Sequence, residues 1–372
     1  MNEKIAFIQK SRPQDEHVFV IPGAKNEVFS ADRSRTYTIA SPLISRATQY
    51  RVLLNLRALR QIIERERPDI IESGDPYQVG WRALRVGKAQ RIPVVAFYHS
   101  HFAEAYLRAP IQHSLGKVAA ELFMKPARVY VRKFYNRFAR TLVPSAGLVA
   151  ELEQWGVKNT CQIGLGVNCE VFHPNGDGAA MRRTLGLSEG SVLLLYVGRL
   201  APEKNTLILF EAFAALVRQN PTTFLLLVIG DGQQGDRLQR LAAETNCVSW
   251  IRYCSDSEQL AQYYRAADLF VHPGVEETFG LVAVESQACG TPVVGIRGSY
   301  MDEVIQHDQS AWAETNSAEA LAGAIEKMAA SDLHSLGEIA AARVAEKYSW
   351  PRVFERLFSV YQEVVASYRR AC

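Results

Sequence analysis

The sequence predicts an α/β protein built from two doubly wound parallel sheets in separate domains. Its 372 residues exceed the length that one hydrophobic core usually supports. Apolar runs of strand length alternate with helical periods along the chain, which is typical of parallel sheets covered by helices. A linker-like stretch from Gly164 to Pro174 separates a first series of such units from a second. We therefore expect domains over residues 1–165 and 166–350, followed by a terminal helix over 351–372.

The composition excludes several classes of protein. Hydrophobic residues make up 48% of the chain and charged residues 22%, which are ordinary values for a globular protein. No apolar run approaches the roughly 18–20 residues of a membrane span, and the first residues lack the apolar stretch of a signal peptide. The six cysteines are scattered without metal-binding spacing, as expected of reduced thiols. We therefore expect a cytoplasmic protein.

Positive charge is concentrated in the first half of the chain. Residues 1–165 hold 25 Lys and Arg against 14 Asp and Glu, whereas residues 166–372 hold 17 against 25. This asymmetry indicates an anionic partner, such as a membrane lipid or a charged acceptor. Residues 115–140 form a helical pattern with interleaved basic residues, which fits peripheral binding to the inner face of a membrane or an ordinary helix with a solvated basic face. No nucleic-acid-binding motif accompanies the charge, so we expect no nucleic acid partner.

One stretch organises the second half, from His272 to Glu285 and on to Val294. It starts where an apolar strand ends, and near Gly280 its period changes to that of a helix. Ligands of open parallel sheets collect at the carboxyl ends of strands and at the helix N-termini that follow them. The carboxylates of Glu277 in the loop and Glu285 in the helix can therefore face one elongated ligand from different heights.

Free backbone N–H groups at the start of that helix would face a phosphate lying between the two carboxylates. They belong to Thr278, Phe279, Gly280 and Leu281. The stretch resembles the donor-binding signature of retaining glycosyltransferases of family 4, which have the two-domain GT-B fold. The resemblance implies that Glu285 accepts both ribose hydroxyls of a nucleoside diphosphate sugar, that Glu277 contacts the transferred sugar, and that the terminal helix crosses back onto the first domain. A surface loop with two solvated acids is the alternative.

A second motif follows the strand predicted over residues 191–197. Gly198 allows the backbone to approach a ligand closely. Arg199 and Lys204 place two cations at the strand end, where charge-assisted bonds can neutralise a diphosphate. The string from Gly198 to Asn205 again resembles family 4, in which the Arg and the Lys hold the donor diphosphate. Surface cations without a ligand are the alternative.

Further strand ends are expected to line the nucleotide pocket. The residues concerned are Gly230, Asp231 and Gly232 after one strand, and Cys254 after the next. Two glycines around an aspartate suit a tight turn, and the resemblance places that turn beside the nucleotide and Cys254 beside the base. Asp256 could be mistaken for a metal ligand, but it more simply caps a helix over residues 257–266. No acids or histidines have metal-ligand spacing, so we expect metal-independent catalysis and no cofactor.

Two histidines follow the strand predicted over residues 92–98. A strand end holds a reacting residue rigidly at the mouth of a crevice. In family 4, a histidine in a Tyr/Phe-His-Ser/Thr setting lies near the anomeric centre of the donor, and the match here is His99. The resemblance implies that His99 hydrogen-bonds the transferred sugar and stabilises developing positive charge. His101 is the competing candidate, and a structural loop histidine is the alternative for either.

The start of the chain departs from the family pattern. Such enzymes usually open with a strand, a glycine-rich loop and a helix, whereas residues 4–10 have the pattern of the end of a helix and residues 17–22 that of a second strand. The first strand of a doubly wound sheet is central, so its absence would leave a gap. A start site assigned too far downstream, or a fragment, is the preferred explanation, and a degenerate enzyme is the alternative.

The resemblance therefore implies a retaining hexosyltransferase that acts on a lipid or glycan acceptor of the cell envelope. General likeness to bacterial mannosyltransferases makes GDP-mannose the first donor candidate, and a UDP-linked sugar stays open. Retention in this family needs no carboxylate nucleophile, because the leaving diphosphate assists proton transfer from the acceptor on the same face. Two alternatives remain. One is a nucleotide-sugar-binding protein impaired in catalysis by the missing segment, and the other is a nucleotide-sugar 2-epimerase on the same scaffold.

Overall fold

The structure is a computed structural model that describes residues 2–45, 50–98, 122, 124–188 and 190–371. The chain divides into two compact units. The first unit consists of Met1–Ile163 together with Val353–Cys372, and the second consists of Gly164–Arg352. The end of the chain therefore belongs to the unit in which the chain begins.

The first unit opens with a helix and a small mixed sheet. Helix α1 (Asn2–Ser11) and strand β1 (His17–Gly23) confirm the helix and the strand predicted for these segments. Four further strands lie outside every predicted element, namely β2 (Glu27–Ala31), β3 (Ser34–Ala40), β4 (Leu43–Ser45) and β5 (Tyr50–Arg51). The sheet order is β1-β3-β2, in which β1 runs parallel to β3 and β2 runs antiparallel to it.

A four-stranded parallel sheet forms the rest of this unit, in the order β6-β7-β8-β9. Its strands are β6 (Ile71–Ser73), β7 (Val94–Phe97), β8 (Arg140–Val143) and β9 (Thr160–Gln162). The associated helices are α2 (Leu56–Glu66), α3 (Gln78–Gln90), α4 (residues 124–135) and α5 (Ala146–Gln154). Strand β7 lies in the segment predicted over residues 92–98, and α4 lies in the helical pattern predicted over 115–140. Within the described residues, no backbone ladder joins β1 to β6.

Polar side chains link α1, β6 and the terminal helix α13 (Trp350–Ala371). The Lys4 ammonium donates to the Tyr361 hydroxyl at 2.9 Å and lies 3.4 Å from a Glu72 oxygen, and Tyr361 also donates to Glu72. The phenyl ring of Phe7 packs on α13, with ring centroids 5.4 Å from Phe354. Burial, assisted by the Lys4 charge, lowers the pKa of His17 to about 3, so this neighbouring imidazole stays neutral.

The second unit is a five-stranded parallel sheet in the order β12-β11-β10-β13-β14. Its strands are β10 (Val192–Val197), β11 (Phe224–Ile229), β12 (Val248–Ile251), β13 (Leu269–His272) and β14 (Val293–Gly295). Its helices are α6 (Gly178–Thr184), α7 (Thr206–Gln219), α8 (Gly235–Thr245), α9 (Ser257–Ala266), α10 (Leu281–Ala288), α11 (Ala318–Ala329) and α12 (Leu333–Tyr348). Strand β10 lies in the segment predicted over residues 191–197.

The strand order of this sheet reverses at β10. Strands β11 and β12 lie on one side of it, and β13 and β14 lie on the other. Leu193, Leu194 and Leu195 of β10 are fully buried, as expected of a central strand covered on both faces. In doubly wound sheets, the crevice at the carboxyl ends of the two strands that flank such a reversal is where ligands bind. Here these two strands are β10 and β13.

Over the described ranges, no helix combines the length and the apolar character needed to cross a membrane. The basic helical pattern over 115–140 is described only at residue 122 and from 124 onwards, where residues 124–135 are helical.

Candidate active site

The first residues predicted to bind the sugar donor follow strand β10 in the chain. After Gly198, the chain forms one 3₁₀ turn (Pro202–Lys204) before α7 begins. The Arg199 guanidinium pairs with the Glu203 carboxylate at 2.8 Å, and its backbone carbonyl accepts a 2.9 Å hydrogen bond from the Tyr196 hydroxyl. The Arg199 side chain is largely exposed. It is therefore available to a ligand once it leaves Glu203, because an exposed pair of this kind is weak.

Strand β13 ends at His272 and places three ionisable groups together. The Lys204 ammonium lies 2.5 Å from a Glu277 carboxylate oxygen, and the Nε2 atom of His272 lies 3.6 Å from the same oxygen. The side chains of Lys204, Glu277 and His272 are 28%, 16% and 4% exposed. Because Lys204 follows β10 and Glu277 follows β13, the cluster lies at the point where the strand order reverses.

The charge state of Glu277 follows from this cluster. Burial alone would raise its pKa, but the His272 imidazole and the Lys204 ammonium outweigh burial and lower the pKa of Glu277 to about 2. Glu277 is therefore a carboxylate at neutral pH. Tyr196 lies close by, and burial followed by the negative charge of Glu277 raises its pKa. A fixed anion of this kind can accept hydroxyl hydrogen bonds from a sugar.

Helix α10 begins immediately after the loop that holds Glu277. Its N-cap, Gly280, has φ +81°, a left-handed conformation that favours glycine, and a Cβ there would lie 2.5 Å from Cγ of Met301. The first helical bonds run from the amides of Ala283 and Val284 to the Gly280 carbonyl. The amides of Leu281 and Val282 therefore precede the helical ladder and carry the positive end of the helix dipole.

The neighbouring predicted residues differ in what they can offer a ligand. The Phe279 ring is 2% exposed and packs edge-on against Tyr348, with centroids 5.7 Å apart, so only its backbone can contact a donor. Thr278 is half-buried, and the Leu281 side chain is exposed. This set therefore offers backbone amides and one hydroxyl.

Glu285 lies just over one turn into α10. One of its carboxylate oxygens accepts a 3.1 Å hydrogen bond from the Tyr264 hydroxyl on α9. Burial raises the pKa of Glu285 to about 7, and the bond from Tyr264 opposes that rise. Glu285 therefore exchanges its proton near neutrality, whereas Glu277 remains ionised.

The turn after β11 packs against the turn after β10. A Cβ at Gly230 would lie 1.9 Å from the Gly198 carbonyl oxygen, which explains why position 230 requires a glycine. Asp231 accepts a hydrogen bond from the Gly232 amide at 2.8 Å and pairs with Arg252 at 3.1 Å, and both contacts lower its pKa. Asp231 thus stabilises the turn that the sequence predicts beside the nucleotide.

Cys254 follows β12, as predicted, and is half-buried. Its thiol lies 3.7 Å from the Gln259 amide oxygen on α9. Asp256 accepts hydrogen bonds from the amides of Glu258 and Gln259, so its predicted role as a helix cap is confirmed. In the part of the chain that is described, no three His, Cys, Asp or Glu side chains are grouped as metal ligands would be.

The predicted residues are only partly joined by direct contacts. Lys204 and Glu277 form an ion pair, whereas Arg199 pairs with Glu203 and Glu285 with Tyr264. His99 and its competitor His101 lie outside the described residues. Three buried neighbours were not predicted as site residues, namely Tyr196, Tyr264 and His272.

Comparisons with known proteins identify the family. Residues 178–343 match the family described as Glycosyl transferases group 1, and residues 12–171 match Glycosyltransferase Family 4. A GDP-mannose-dependent alpha-(1-6)-phosphatidylinositol dimannoside mannosyltransferase of Mycobacterium tuberculosis is 30% identical over 358 residues, which cover 95% of this chain and 89% of that relative. This chain belongs to glycosyltransferase family 4. The resemblance inferred from its motifs is confirmed.

A further sequence relative and two solved structures are also similar to this family-4 glycosyltransferase. A GDP-mannose-dependent alpha-mannosyltransferase of Corynebacterium glutamicum is 27% identical over 341 residues, which cover 90% of this chain and 76% of the relative. Sucrose-phosphate synthase of Thermosynechococcus elongatus superimposes with a TM-score of 0.72 at 23% identity, covering 94% of this chain and 89% of that one. Anabaena HepE, solved with UDP-glucose, gives a TM-score of 0.70 at 16% identity, covering 93% and 99%. These structural likenesses confirm the predicted α/β class and GT-B fold.

Proposed function

We propose that this family-4 glycosyltransferase moves a hexose from a nucleoside diphosphate sugar to a lipid or glycan acceptor, with retention of configuration. The cluster of Lys204, His272 and Glu277 carries the proposal. It joins a cation that can bind a phosphate to a carboxylate that can accept sugar hydroxyls, at the ligand-binding end of a doubly wound sheet. Glu285 supplies a second carboxylate, which we assign to the ribose.

The proposed catalysis combines stabilisation of the leaving group with positioning of the reactants. The bond between the anomeric carbon and the diphosphate breaks, and a bond from the acceptor oxygen forms on the same face. The acceptor proton passes to the departing diphosphate oxygen, so no enzyme nucleophile takes part. Negative charge on the diphosphate is stabilised by Arg199, Lys204 and the first amides of α10. Because side chains supply this positive charge, we propose that transfer requires no metal ion.

GDP-mannose is the first candidate donor. The names of two relatives that match 90% and 95% of this chain specify GDP-mannose. A UDP-sugar is the second candidate, since HepE was solved with UDP-glucose. Calorimetric titration with GDP, UDP, GDP-mannose, UDP-glucose and UDP-N-acetylglucosamine in the presence of EDTA separates the two. Absence of heat with every nucleotide would overturn the proposal.

The stereochemical outcome needs its own measurement. With the donor that binds, we expect slow hydrolysis in water and faster transfer once an acceptor is added. Proton NMR of the first product should show the anomeric configuration of the donor, and an inverted product would exclude the proposed mechanism. Conversion of the donor to its 2-epimer without an acceptor would instead support the epimerase. Tight binding without hydrolysis or transfer would support the non-catalytic binding protein.

We further propose that the basic first half of the chain faces an anionic acceptor or membrane surface. Its charge excess, 25 basic against 14 acidic residues over 1–165, is the supporting observation. Co-sedimentation with phosphatidylglycerol vesicles should exceed co-sedimentation with phosphatidylcholine vesicles, and the difference should fall with added salt. Equal binding to both lipids would contradict the proposal that the basic first half of the chain faces an anionic surface.

A further inference from the structure

The Tyr264 side chain is fully buried, and its ring is fixed by its neighbours. The ring centroid lies 6.0 Å from that of Phe172 and 5.8 Å from that of Phe270. The backbone carbonyl of Tyr264 accepts a 2.5 Å hydrogen bond from the Thr291 hydroxyl, which anchors the last turn of α9 to the segment after α10. The phenol therefore has little freedom to turn away from Glu285.

The hydroxyl of this buried phenol donates to a Glu285 carboxylate oxygen at 3.1 Å. Within the described ranges, no second hydrogen-bond donor to the Glu285 carboxylate is present. Burial and the nearby carboxylate raise the pKa of Tyr264 well above its ordinary value, so the phenol remains protonated and keeps donating. Tyr264 thus occupies one acceptor site of the Glu285 carboxylate, and the remaining sites on its two oxygens are left for a ligand.

We propose that Tyr264 is a positioning residue, whose hydroxyl fixes the Glu285 carboxylate in the orientation and the ionised form that a ribose diol requires. The inference rests on the proposed function of Glu285. Two ribose hydroxyls can be accepted together only if the carboxylate plane is held, since a freely rotating carboxylate loses orientational entropy on binding. Because Tyr264 is fully buried, we assign it no contact with the donor and expect it to act through Glu285.

The other ionisable groups around this pair do not supply the same effect. Cys289 follows α10, and burial raises the pKa of its thiol, so it stays neutral. The positive charge of Arg265 on α9 opposes the rise in the Cys289 pKa. Its guanidinium donates a 3.1 Å hydrogen bond to the backbone carbonyl of His173. Tyr264 is therefore the group that favours the charged form of Glu285, and deleting its hydroxyl should move the Glu285 titration upward from about pH 7.

The decisive experiment is calorimetry on Tyr264→Phe with the nucleoside diphosphate that the wild-type protein binds and with its 2′-deoxy analogue, between pH 6 and 9. At pH 7 we expect the variant to bind the ribonucleotide on the order of 10-fold more weakly, as for a lost hydrogen bond to a charged group. The loss should be much smaller for the deoxynucleotide. It should also shrink at pH 9, because Glu285 is then ionised in both proteins.

Tyr37→Phe is a matched control. Tyr37 is also a buried tyrosine that donates to a carboxylate, that of Glu66, but it lies in the first unit. The Tyr37→Phe substitution should change the free energy of unfolding without changing nucleotide affinity. If Tyr264→Phe fails to fold, 3-fluorotyrosine at position 264 retains the hydroxyl as a more acidic donor, and the midpoint of the affinity against pH should then fall.

Two results separate the inference from the function on which it rests. If wild-type protein binds a nucleotide but Tyr264→Phe loses equal affinity for the ribo and deoxy forms, or loses none, the positioning role is wrong and the proposed function stands. If the wild-type protein binds no nucleoside diphosphate, the proposed function fails and the inference falls with it.

Discussion

The ammonium of Lys204 and the carboxylate of Glu277 form a 2.5 Å ion pair, although the two residues are assigned to different parts of one donor. Lys204 is proposed to bind the diphosphate and Glu277 the transferred sugar. A diphosphate that approaches Lys204 competes with Glu277 for the same N–H donors. His272, 3.6 Å from Glu277, is placed to remain its partner when Lys204 turns toward the phosphate. Under these proposed roles, binding of a phosphate at Lys204 would expose the Glu277 carboxylate to the sugar.

The first prediction concerns stability in acid. The pKa of Glu277 is lowered from 4.5 to about 2, so its contribution to folding is present above pH 4.5 and is lost as the pH falls toward 2. A shift of this size corresponds to about 3 kcal/mol in the free energy of unfolding, of which roughly two thirds should be lost by pH 3. Glu277→Gln should lack this dependence. Urea unfolding of both proteins between pH 3 and 7 measures the difference.

Glu276→Gln provides the control for that experiment. Glu276 is the adjacent residue in the chain and is exposed. Its variant should follow the wild-type protein at every pH, because an exposed carboxylate makes little contribution to folding. Parallel curves for wild type and Glu277→Gln would show that the Lys204 and His272 contacts do not stabilise the ionised carboxylate.

The second prediction concerns His272. His272→Phe keeps an aromatic ring in a site that is 4% exposed but removes the imidazole next to Glu277. Without this partner the pKa of Glu277 should rise, so acid unfolding should begin at higher pH. We expect kcat to fall on the order of 10-fold, with less change in donor KM, if the pair is needed mainly during transfer.

His334→Phe is the matched variant for this prediction. His334 lies 3.4 Å from Glu338 on an exposed face of α12, so it is also a histidine beside a glutamate. It should alter neither kcat nor acid stability. A His272→Phe enzyme with wild-type kcat and an unchanged acid transition would contradict the role given to His272.

Elements of the second unit could be predicted because strands such as β10 and β11 are continuous apolar runs, each followed by a glycine. The strand expected over 191–197 lies at Val192–Val197, and the helix expected after Gly280 lies at Leu281–Ala288. Strand β2 (Glu27–Ala31) escaped prediction because it is exposed at every position. An edge strand without a buried face shows no alternation of apolar and polar residues.

In the candidate site, only the residues that belong to the recognised motifs could be predicted. Motif spacing indicated Glu277 and Glu285. It did not indicate the surroundings that lower the pKa of Glu277 and raise the pKa of Glu285. Tyr264 lies 21 residues before Glu285, and a tyrosine in an amphipathic helix is indistinguishable by period from any core residue. The pairing of His272 with Glu277 depends on the path of the loop between them, which sequence spacing does not determine.

The third prediction concerns the close approach of two turns. Gly230→Ala would place a methyl group 1.9 Å from the Gly198 carbonyl oxygen at φ +146°, so we expect a loss on the order of 3 kcal/mol in unfolding free energy. Gly323→Ala, in α11, meets nothing within 4 Å and should instead stabilise by roughly 0.5–1 kcal/mol. Thermal unfolding of both variants tests the pair, and equal effects would contradict the close packing.

The fourth prediction concerns the strand end in the first unit. His99→Ala should lower kcat by at least about 10²-fold while changing donor KM much less, as expected of a group that acts on the transferred sugar. His101→Ala is the direct comparison, since His101 is the competing candidate two residues along the chain. If the effects are exchanged, His101 takes the role assigned to His99.

The fifth prediction concerns Glu285, whose burial opposes its charge. Its pKa is raised from 4.5 to about 7, so its favourable contribution to folding is present below pH 4.5 and is lost as the pH rises through 7. Glu285→Gln avoids this loss, and its stability relative to wild type should increase by about 3 kcal/mol between pH 4.5 and pH 8.

The same substitution should weaken nucleotide binding, because a neutral amide accepts ribose hydroxyls less strongly than a carboxylate. Wild-type affinity should rise between pH 6 and 8 as Glu285 ionises, whereas that of Glu285→Gln should not. Glu244→Gln, at an exposed position on α8, should reproduce the wild-type behaviour in both measurements. A variant that gains stability above pH 7 while losing affinity would show that the half-buried carboxylate is retained for binding at the expense of folding. Unchanged affinity would remove Glu285 from the nucleotide site.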